Sequence, residues 1–326
     1  MYDSAPTSMP RHADMVVLWD WKHDAEFALK LQSCCAARNL SFASFRGQRV
    51  KDFIAFAESE PFSAGLIFDR VSDVQPGIVY LLLRLKRAGA HLVNDPEMMA
   101  WCRDKATMHL ELLSSGVRVP YGLILSTADH AKRLDLLELC KERLGSPFVI
   151  KPAEGGGGDG VELNALGSND IADYFRRTGE GKIMLQRKIL PRILGRRRGW
   201  FRVFWVLGAV VPCWWDDLTH VYDPLEPEDE ASFGLKPLYA IVGLIARISK
   251  MDLFTTEIAV DEDGQLVAVD FVNEMPDLRF QGQHPDGVPG AVLDRIAAAL
   301  SERSAALARA RADAGEAGSQ KGASAP

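Results

Sequence analysis

The sequence lacks the features that mark secreted, membrane-spanning and zinc-ribbon proteins. Its 326 residues include five cysteines, an odd number without a Cys-x-x-Cys pair, which indicates neither a disulfide framework nor a zinc site. No run of about 18 apolar residues is present, and the polar N-terminal segment has no apolar signal core. These absences predict a soluble cytoplasmic protein that does not act in a membrane.

An excess of positive charge is also missing. The sequence has 38 Lys and Arg residues and 44 Asp and Glu residues, which gives a formal net charge of −6. General nucleic-acid binders usually carry a basic field, so nucleic acid is not an expected partner. Hydrophobic residues make up 47% and charged residues 25%, as in ordinary globular proteins. The length is enough for roughly two or three domains.

Strand-like and helical segments alternate in the first third of the chain. Residues 15–19 and 64–68 are short apolar runs, whereas residues 25–38 have helical periodicity. Short apolar strands that alternate with helices predict an α/β domain with a parallel sheet, here over residues 13–100. A disordered leader is expected at residues 1–12.

A glycine-rich loop is the most distinctive segment. Residues 148–164, FVIKPAEGGGGDGVELN, form an apolar strand that ends in Lys151 and Pro152, followed by the glycines. Glycine lets backbone N–H groups approach phosphate oxygens closely, and the lysine supplies a cation for the same phosphates. No Gly-Lys-Ser/Thr follows, so the loop is not a Walker A motif. The alternative interpretation is a flexible hairpin tip.

Two acidic residues fall on neighbouring strands of a predicted hairpin. Glu257 precedes the acidic turn at residues 261–264, and Asp270 follows it within the apolar run LVAVDFV. A carboxylate in such a strand is costly unless it is paired or bound to a metal. With the amide oxygen of Asn273, the two carboxylates suit Mg²⁺. The alternative for Asp270 is an acid at a solvent-facing strand edge.

The order of these motifs resembles the ATP-grasp superfamily, which includes D-alanine–D-alanine ligase, glutathione synthetase and ribosomal-protein glutamate ligases. Residues 94–279 contain five motifs in sequence order. They are a lysine, a strand that runs through Lys-Pro into a glycine loop, a strand ending at a glutamine, an arginine in FRVFWVLG, and an acidic hairpin of the form acid–hairpin–acid–Asn-x-x-Pro. The resemblance implies an α/β fold, α+β in its later part. A pre-ATP-grasp domain would precede a central lid subdomain at 101–187 and a catalytic subdomain at 188–312, with a disordered tail at 313–326.

The resemblance also implies roles for individual residues. Arg202 would steady the transferred phosphoryl group, and Arg279 would hold a carboxylate or acyl phosphate. The implied magnesium ligands are Glu257, Asp270 and Asn273. The implied nucleotide-binding residues are Lys105, Lys151, Glu154, Gly155, Gly156, Gly157, Gly158, Gly160, Gln186, Lys188 and Ile189. Among them, Gln186 and the backbone of residues 187–189 would form the hinge that reads adenine.

The sequence departs from the family pattern in two places. The family usually has Glu-x-Asn, whereas the interval from Asp270 to Asn273 is one residue longer, a difference that a β-bulge could absorb. The family often has an acid after the hinge for the ribose hydroxyls, but residues 190–199 contain none and instead include Arg196–Arg198. This basic run is either a solvated loop or a recruiter of an anionic substrate.

The implied activity is an ATP- and Mg²⁺- (or Mn²⁺-) dependent ligation of a carboxylate to an amine or thiol through an acyl phosphate. Its partners would be small-molecule or peptide substrates, with a homodimer as one option. One alternative is a small-molecule kinase on the same fold. Another is a nucleotide-binding regulatory module without catalysis.

Overall fold

The contacts between residues divide the chain into two units. The computed structural model describes four stretches: residues 9–126, 140–155, 158–179 and 181–322. The first unit combines Met1–Pro96 with Asp277–Pro326, and the second is Glu97–Pro276.

The elements alternate as follows along the chain. They are β1 (His12–Trp19), α1 (Ala25–Ala36), β2 (Phe42–Arg46), α2 (Gln48–Ser59), β3 (Ser63–Arg70), α3 (Val79–Arg87), β4 (His91–Val93), α4 (Pro96–Cys102), α5 (Lys105–Ser114), β5 (Gly122–Leu125), β6 (Phe148–Pro152), β7 (Glu162–Ala165), α6 (Ser168–Thr178), β8 (Ile183–Arg187), β9 (Ile193–Leu194), β10 (Arg197–Arg198), β11 (Trp200–Val206), β12 (Ala209–Trp215), β13 (Tyr222–Pro224), α7 (Pro227–Phe233), α8 (Pro237–Ser249), β14 (Leu253–Val260), β15 (Leu266–Asn273) and α9 (Gly290–Gly322).

The first unit is built on a parallel sheet, as the alternating pattern predicts. Its strand order is β2-β1-β3-β4, and β1 pairs in parallel with both β2 and β3. Apolar residues of these strands, such as Val16 and Ile67, are fully buried together with Leu81 and Leu82 of α3. The continuous apolar runs therefore mark strands that are covered by helices.

The long C-terminal helix α9 belongs to this first unit and packs against α1, β1 and β3. Leu293, Ile296 and Leu300 are fully buried, and Ser304 Oγ donates to the Asp14 carbonyl at 2.8 Å. The sequence pattern predicts that residues up to 312 belong to the catalytic subdomain and that disorder begins at 313. Instead, the helix continues to Gly322. Residues 313–322 contain three glycines, which disfavour helix, but also two alanines, a glutamate, a glutamine and a lysine, which favour it.

The second unit contains two antiparallel sheets, with strand orders β5-β8-β6-β7 and β13-β12-β11-β14-β15, and the small β9–β10 hairpin. One face of the five-stranded sheet packs on α8, where Phe201, Trp214 and Ile258 share a buried core with Val242. The other face carries the predicted site residues Arg202, Glu257, Asp270 and Asn273.

The sequence pattern of residues 95–113 predicts a single helix, and this prediction is wrong because the chain forms two helices that are separated at Asp104. The Asp104 side chain accepts hydrogen bonds from the N–H groups of Ala106 and Thr107, so it caps a new helix instead of continuing the old one. The sequence pattern of residues 128–144 also predicts a helix. Most of these residues lie outside the described ones, and only 140–144 are seen to be helical. Residues 1–8 of the predicted leader also lie outside them.

No single helix among the described residues is long and apolar enough to cross a membrane. The α7–α8 pair meets the length and hydropathy requirement only as a pair, and it is bent by 99°.

Candidate functional site

The break between α4 and α5 brings Lys105 to the glycine loop. Asp104 caps α5, so Lys105 is the first residue of that helix. The Lys105 N–H donates to the Ala153 carbonyl at 2.7 Å, and its ammonium group contacts the Gly155 carbonyl. Lys105 and the loop that follows β6 are therefore in contact, and the nucleotide-binding role of Lys105 stays a prediction.

The described glycines of the loop have backbone angles that favour glycine. Gly155, Gly158 and Gly160 have φ values of +112°, +79° and +72°, a region that side chains disfavour. The Gly160 carbonyl accepts a hydrogen bond from the Tyr174 hydroxyl at 2.8 Å, which ties one end of the loop to α6. Glu154 is exposed at the start of the loop. Gly156 and Gly157 lie outside the described residues.

Lys151 and Gln186 converge on one backbone carbonyl. Lys151 Nζ donates to the Val269 carbonyl at 3.1 Å and Gln186 Nε2 donates to the same oxygen at 3.3 Å. The two side chains are diagonal neighbours on β6 and β8, because Gln186 pairs with Val149. Lys151 is 8% exposed and Gln186 is 1% exposed. Lys151 Nζ also lies 3.9 Å from Asp270 Oδ1.

A bulged stretch of β15 absorbs the long Asp270–Asn273 interval, as predicted. The facing pairs are Ile258 with Ala268, Glu257 with Asp270, and Thr255 with Asn273. From Ile258 to Glu257, β14 advances by one residue while β15 advances by two, from Ala268 to Asp270. From Glu257 to Thr255, β14 advances by two residues while β15 advances by three, so β15 is bulged on both sides of Asp270. Thr255 and Glu257 share a face because they are two residues apart. Asp270 and Asn273 consequently lie on the same face as Glu257.

Glu257 is held by two donors on β11. Arg202 faces it across the strands, and Arg202 Nη1 lies 3.2 Å from Glu257 Oε1. The indole N–H of Trp200 donates to Oε2 at 3.3 Å. Burial raises the pKa of the Glu257 carboxyl, the facing Asp270 adds to the rise, and Arg202 opposes it. No sequence motif marks Trp200, since only the pairing of β11 with β14 reveals its contact with Glu257.

The donor set suits a divalent cation that binds together with phosphates. Within the described ranges, no group of three or more His, Cys, Asp or Glu side chains is arranged to hold a metal. Glu257, Asp270 and Asn273 instead offer two carboxylates and an amide oxygen on one face. Mg²⁺ commonly takes one or two carboxylates and completes its shell with water and substrate phosphates. Glu274 is paired with Arg103 at 2.7 Å.

The predicted hinge residues follow β8 directly. Lys188 Nζ donates to Asn164 Oδ1 at 2.7 Å, and Ile189 is half-buried. The backbone N–H of Arg187 donates to the Tyr121 carbonyl at 2.8 Å. The adenine-reading role of this segment stays a prediction.

Arg279 belongs to the first unit, where two carboxylates hold it. Its guanidinium donates to Asp277 Oδ2 at 2.8 Å through Nε and to Asp286 Oδ2 at 2.8 Å through Nη2. The hydrogen bond to Asp277 is the main cause that raises the pKa of Arg279 further above its usual value. The guanidinium also lies 5.8 Å from the Trp21 ring. Its predicted role toward substrate stays a prediction.

Two of the three arginines at 196–198 make structural ion pairs. Arg198 Nη2 donates to Asp217 Oδ2 at 2.8 Å, and Arg197 lies 3.2 Å from Asp223. They tie β10 to β13 through Asp223 and to the segment between β12 and β13 through Asp217. In that segment, the His220 ring stacks on Trp215 with a centroid distance of 5.0 Å.

No protein-family model matches the sequence. Two curated relatives are glutamate–LysW ligases, one from Sulfolobus acidocaldarius and one from Sulfurisphaera tokodaii. Each is 28% identical over 137 residues, a match that covers 41% of this chain and 43% of the relative. The chain thus spans less than half the length of the curated relatives that it matches.

Solved structures resemble nearly the whole chain. The ATP-grasp ligase PsnB, solved with a precursor peptide and AMPPNP, has a TM-score of 0.61 and 16% identity and covers 90% of this chain and 100% of its own. D-cycloserine synthetase has a TM-score of 0.61 and 14% identity, and the match covers 89% of this chain and 99% of the synthetase. D-alanine–D-alanine ligase from Bacillus anthracis, solved with ATP, has a TM-score of 0.60 and 13% identity, and the match covers 93% of this chain and 99% of the ligase.

The chain therefore has the ATP-grasp fold, and the predicted resemblance and fold class are confirmed. The parallel four-stranded sheet and the antiparallel sheets of this chain match the fold of these neighbours.

Proposed function

We propose that this protein is an ATP-grasp ligase that joins a carboxylate to an amine and consumes ATP. The observation that carries the proposal is the convergence at the bulge of β15. There, Lys151 donates to the Val269 carbonyl and lies beside Asp270. On the five-stranded sheet, Glu257 faces Asp270 on one side and Arg202 on the other. The names of the relatives and structural neighbours, which are ligases, support the same reaction class.

ATP is proposed to bind between the two sheets of the second unit. Lys151 and Lys105 supply cations for the phosphates. The glycine loop supplies backbone N–H groups that no side chain shields. Gln186 and residues 187–189 would contact the adenine. A neighbour solved with Mg and ADP supports this nucleotide and metal pair.

Glu257, Asp270 and Asn273 would hold Mg²⁺, or Mn²⁺ in its place. The metal would neutralise phosphate charge when it is bound. Arg202, which pairs with Glu257, would stabilise the charge of the transferred phosphoryl group.

The proposed reaction has two steps. A carboxylate oxygen attacks the γ-phosphorus of ATP, the bond to the β-phosphate oxygen breaks, and ADP leaves with the electron pair. The amine nitrogen then attacks the acyl carbon, phosphate leaves, and the nitrogen loses a proton. The chain's own part is to position the reactants, stabilise developing negative charge through Lys151 and Arg202, and exclude water beneath the glycine loop.

The substrates are proposed to be an amino acid or peptide on the acid side and a small or peptide amine on the other. Relatives and neighbours support this range, since their names include a glutamate–LysW ligase and a ligase bound to a precursor peptide.

Asp270→Asn tests the proposal, with Asp263→Asn as its control. Both changes neutralise one acid of the same hairpin, but Asp263 is exposed in the turn. Isothermal titration should show that ADP binds the wild type and the Asp263 variant more tightly with MgCl₂ than without. The Asp270 variant should lose most of this gain, because the metal loses a charged ligand.

The next measurement is ADP release with paired amino acids and peptides. Release that requires both an acid and an amine supports ligation, whereas full release with one co-substrate and a phosphorylated product would indicate a kinase. A wild type that binds no ADP in the presence of magnesium would contradict both readings.

A further inference from the structure

Trp200 makes a contact that none of the predicted roles uses. It is the first residue of β11, it is 8% exposed, and its indole N–H donates to Glu257 Oε2 at 3.3 Å. An indole N–H can only donate, so a tryptophan here needs an acceptor. Glu257 is that acceptor and also a proposed metal ligand.

The strand register explains why both oxygens of Glu257 are engaged from one strand. Arg202 is directly opposite Glu257, while Trp200 is opposite Ala259 and therefore diagonal to Glu257. Residues two apart on β11 point to the same face. Arg202 contacts Oε1 and Trp200 donates to Oε2. Because the two donors lie two residues apart on β11, together they fix the plane of the Glu257 carboxylate.

We propose that Trp200 is a positioning residue that orients the Glu257 carboxylate toward a divalent cation shared with Asp270. This inference rests on the proposed function. Hydrogen bonds to metal-ligating carboxylates fix their orientation, and their loss commonly weakens metal affinity about 10- to 100-fold. Arg202 remains in place when the indole is removed, so the expected effect lies near the lower end of that range.

Trp214 provides a matched control on the neighbouring strand. It is also buried, at 3% exposed, and its indole N–H also donates to a carboxylate, Asp229 Oδ2, at 2.9 Å. Its ring packs in the core with Phe201 and α8, and Asp229 is not among the proposed ligands. Replacing either tryptophan by phenylalanine thus removes one indole–carboxylate hydrogen bond from the same sheet.

The experiment compares Mn²⁺ binding by wild type, Trp200→Phe and Trp214→Phe. Each protein is saturated with ADP, and free Mn²⁺ is followed by electron paramagnetic resonance. The Trp200 variant should bind Mn²⁺ about 10-fold more weakly than the wild type, and the Trp214 variant should stay within twofold. ADP affinity without metal should be equal in all three, a result that a general loss of structure would not produce.

The outcomes separate this inference from the function on which it rests. If the wild type binds Mn²⁺ and the Trp200 variant binds it as tightly as the Trp214 variant does, only the positioning role is overturned. Failure of the wild type to bind Mn²⁺ with ADP would overturn the proposed function and this inference together. If phenylalanine at 200 prevents folding, Trp200→Met provides a second variant without the donor, since methionine fills irregular spaces, and the same 10-fold criterion applies.

Discussion

Replacing Lys151 by methionine should separate nucleotide binding from stability. Methionine keeps most of the apolar stem that Lys151 buries but removes the ammonium group. A hydrogen bond to a charged partner is worth about 1.5–3 kcal/mol. At about 1.4 kcal/mol for each factor of ten, the affinity for ADP with Mg²⁺ should fall roughly 10- to 100-fold.

The same substitution should cost little folding free energy. The Val269 carbonyl, which accepts from Lys151, also accepts from Gln186 Nε2 at 3.3 Å and keeps that partner. The Asp270 side chain is 31% exposed, so its charge stays hydrated when the lysine is lost. The penalty of about 3–5 kcal/mol for a stranded buried charge therefore does not apply, and the free energy of unfolding should fall by about 1 kcal/mol or less.

Isothermal titration with ADP and MgCl₂ measures the first quantity, and urea denaturation measures the second. Lys51→Met, at an exposed position of α2 in the first unit, is the control and should change neither. Two results would refute the reasoning. One is an ADP affinity within threefold of the wild type. The other is a loss of affinity that is accompanied by several kcal/mol of destabilisation.

Two further predictions concern the supports of the site and of the first unit. Asp104→Ala removes the cap of α5 and should lower the free energy of unfolding by about 1–2 kcal/mol in urea denaturation; an unchanged value would contradict the capping role. Burial raises the pKa of the Asp69 carboxyl above 3.8, so its protonated form stabilises the fold. This contribution is complete below the unfolded pKa and is lost as pH rises through the folded pKa. Denaturation across pH should therefore show a decline in the wild type that Asp69→Asn lacks, and parallel curves would contradict the sign.

Much of the site was predictable because its motifs are local. A lysine at the end of an apolar strand, followed by glycines, predicts a phosphate-binding loop from about ten consecutive residues. Asp270 stands out because a charge interrupts an apolar strand, and the long interval to Asn273 is one that a β-bulge can absorb. Each of these signals depends on neighbours in sequence, which fix backbone angles and the strand pattern.

Contacts between distant segments could not be predicted in this way. Trp200 meets Glu257 only through the register of β11 and β14, and the pairing of Arg198 with Asp217 depends on how a hairpin meets the segment after β12. An arginine run alone does not reveal which of its members are already paired.

The sequence by itself determined the parallel sheet of the first unit, the glycine loop and the acids of the last hairpin, since period, turn residues and charge placement act over short distances. Only the tertiary structure decided that Asp104 starts a new helix at Lys105 and that α9 packs with the first unit. It also decided that Lys151 and Gln186 share the Val269 carbonyl. The physical reason is that burial and hydrogen bonding between remote segments, rather than local propensity, select among conformations that the local sequence leaves open.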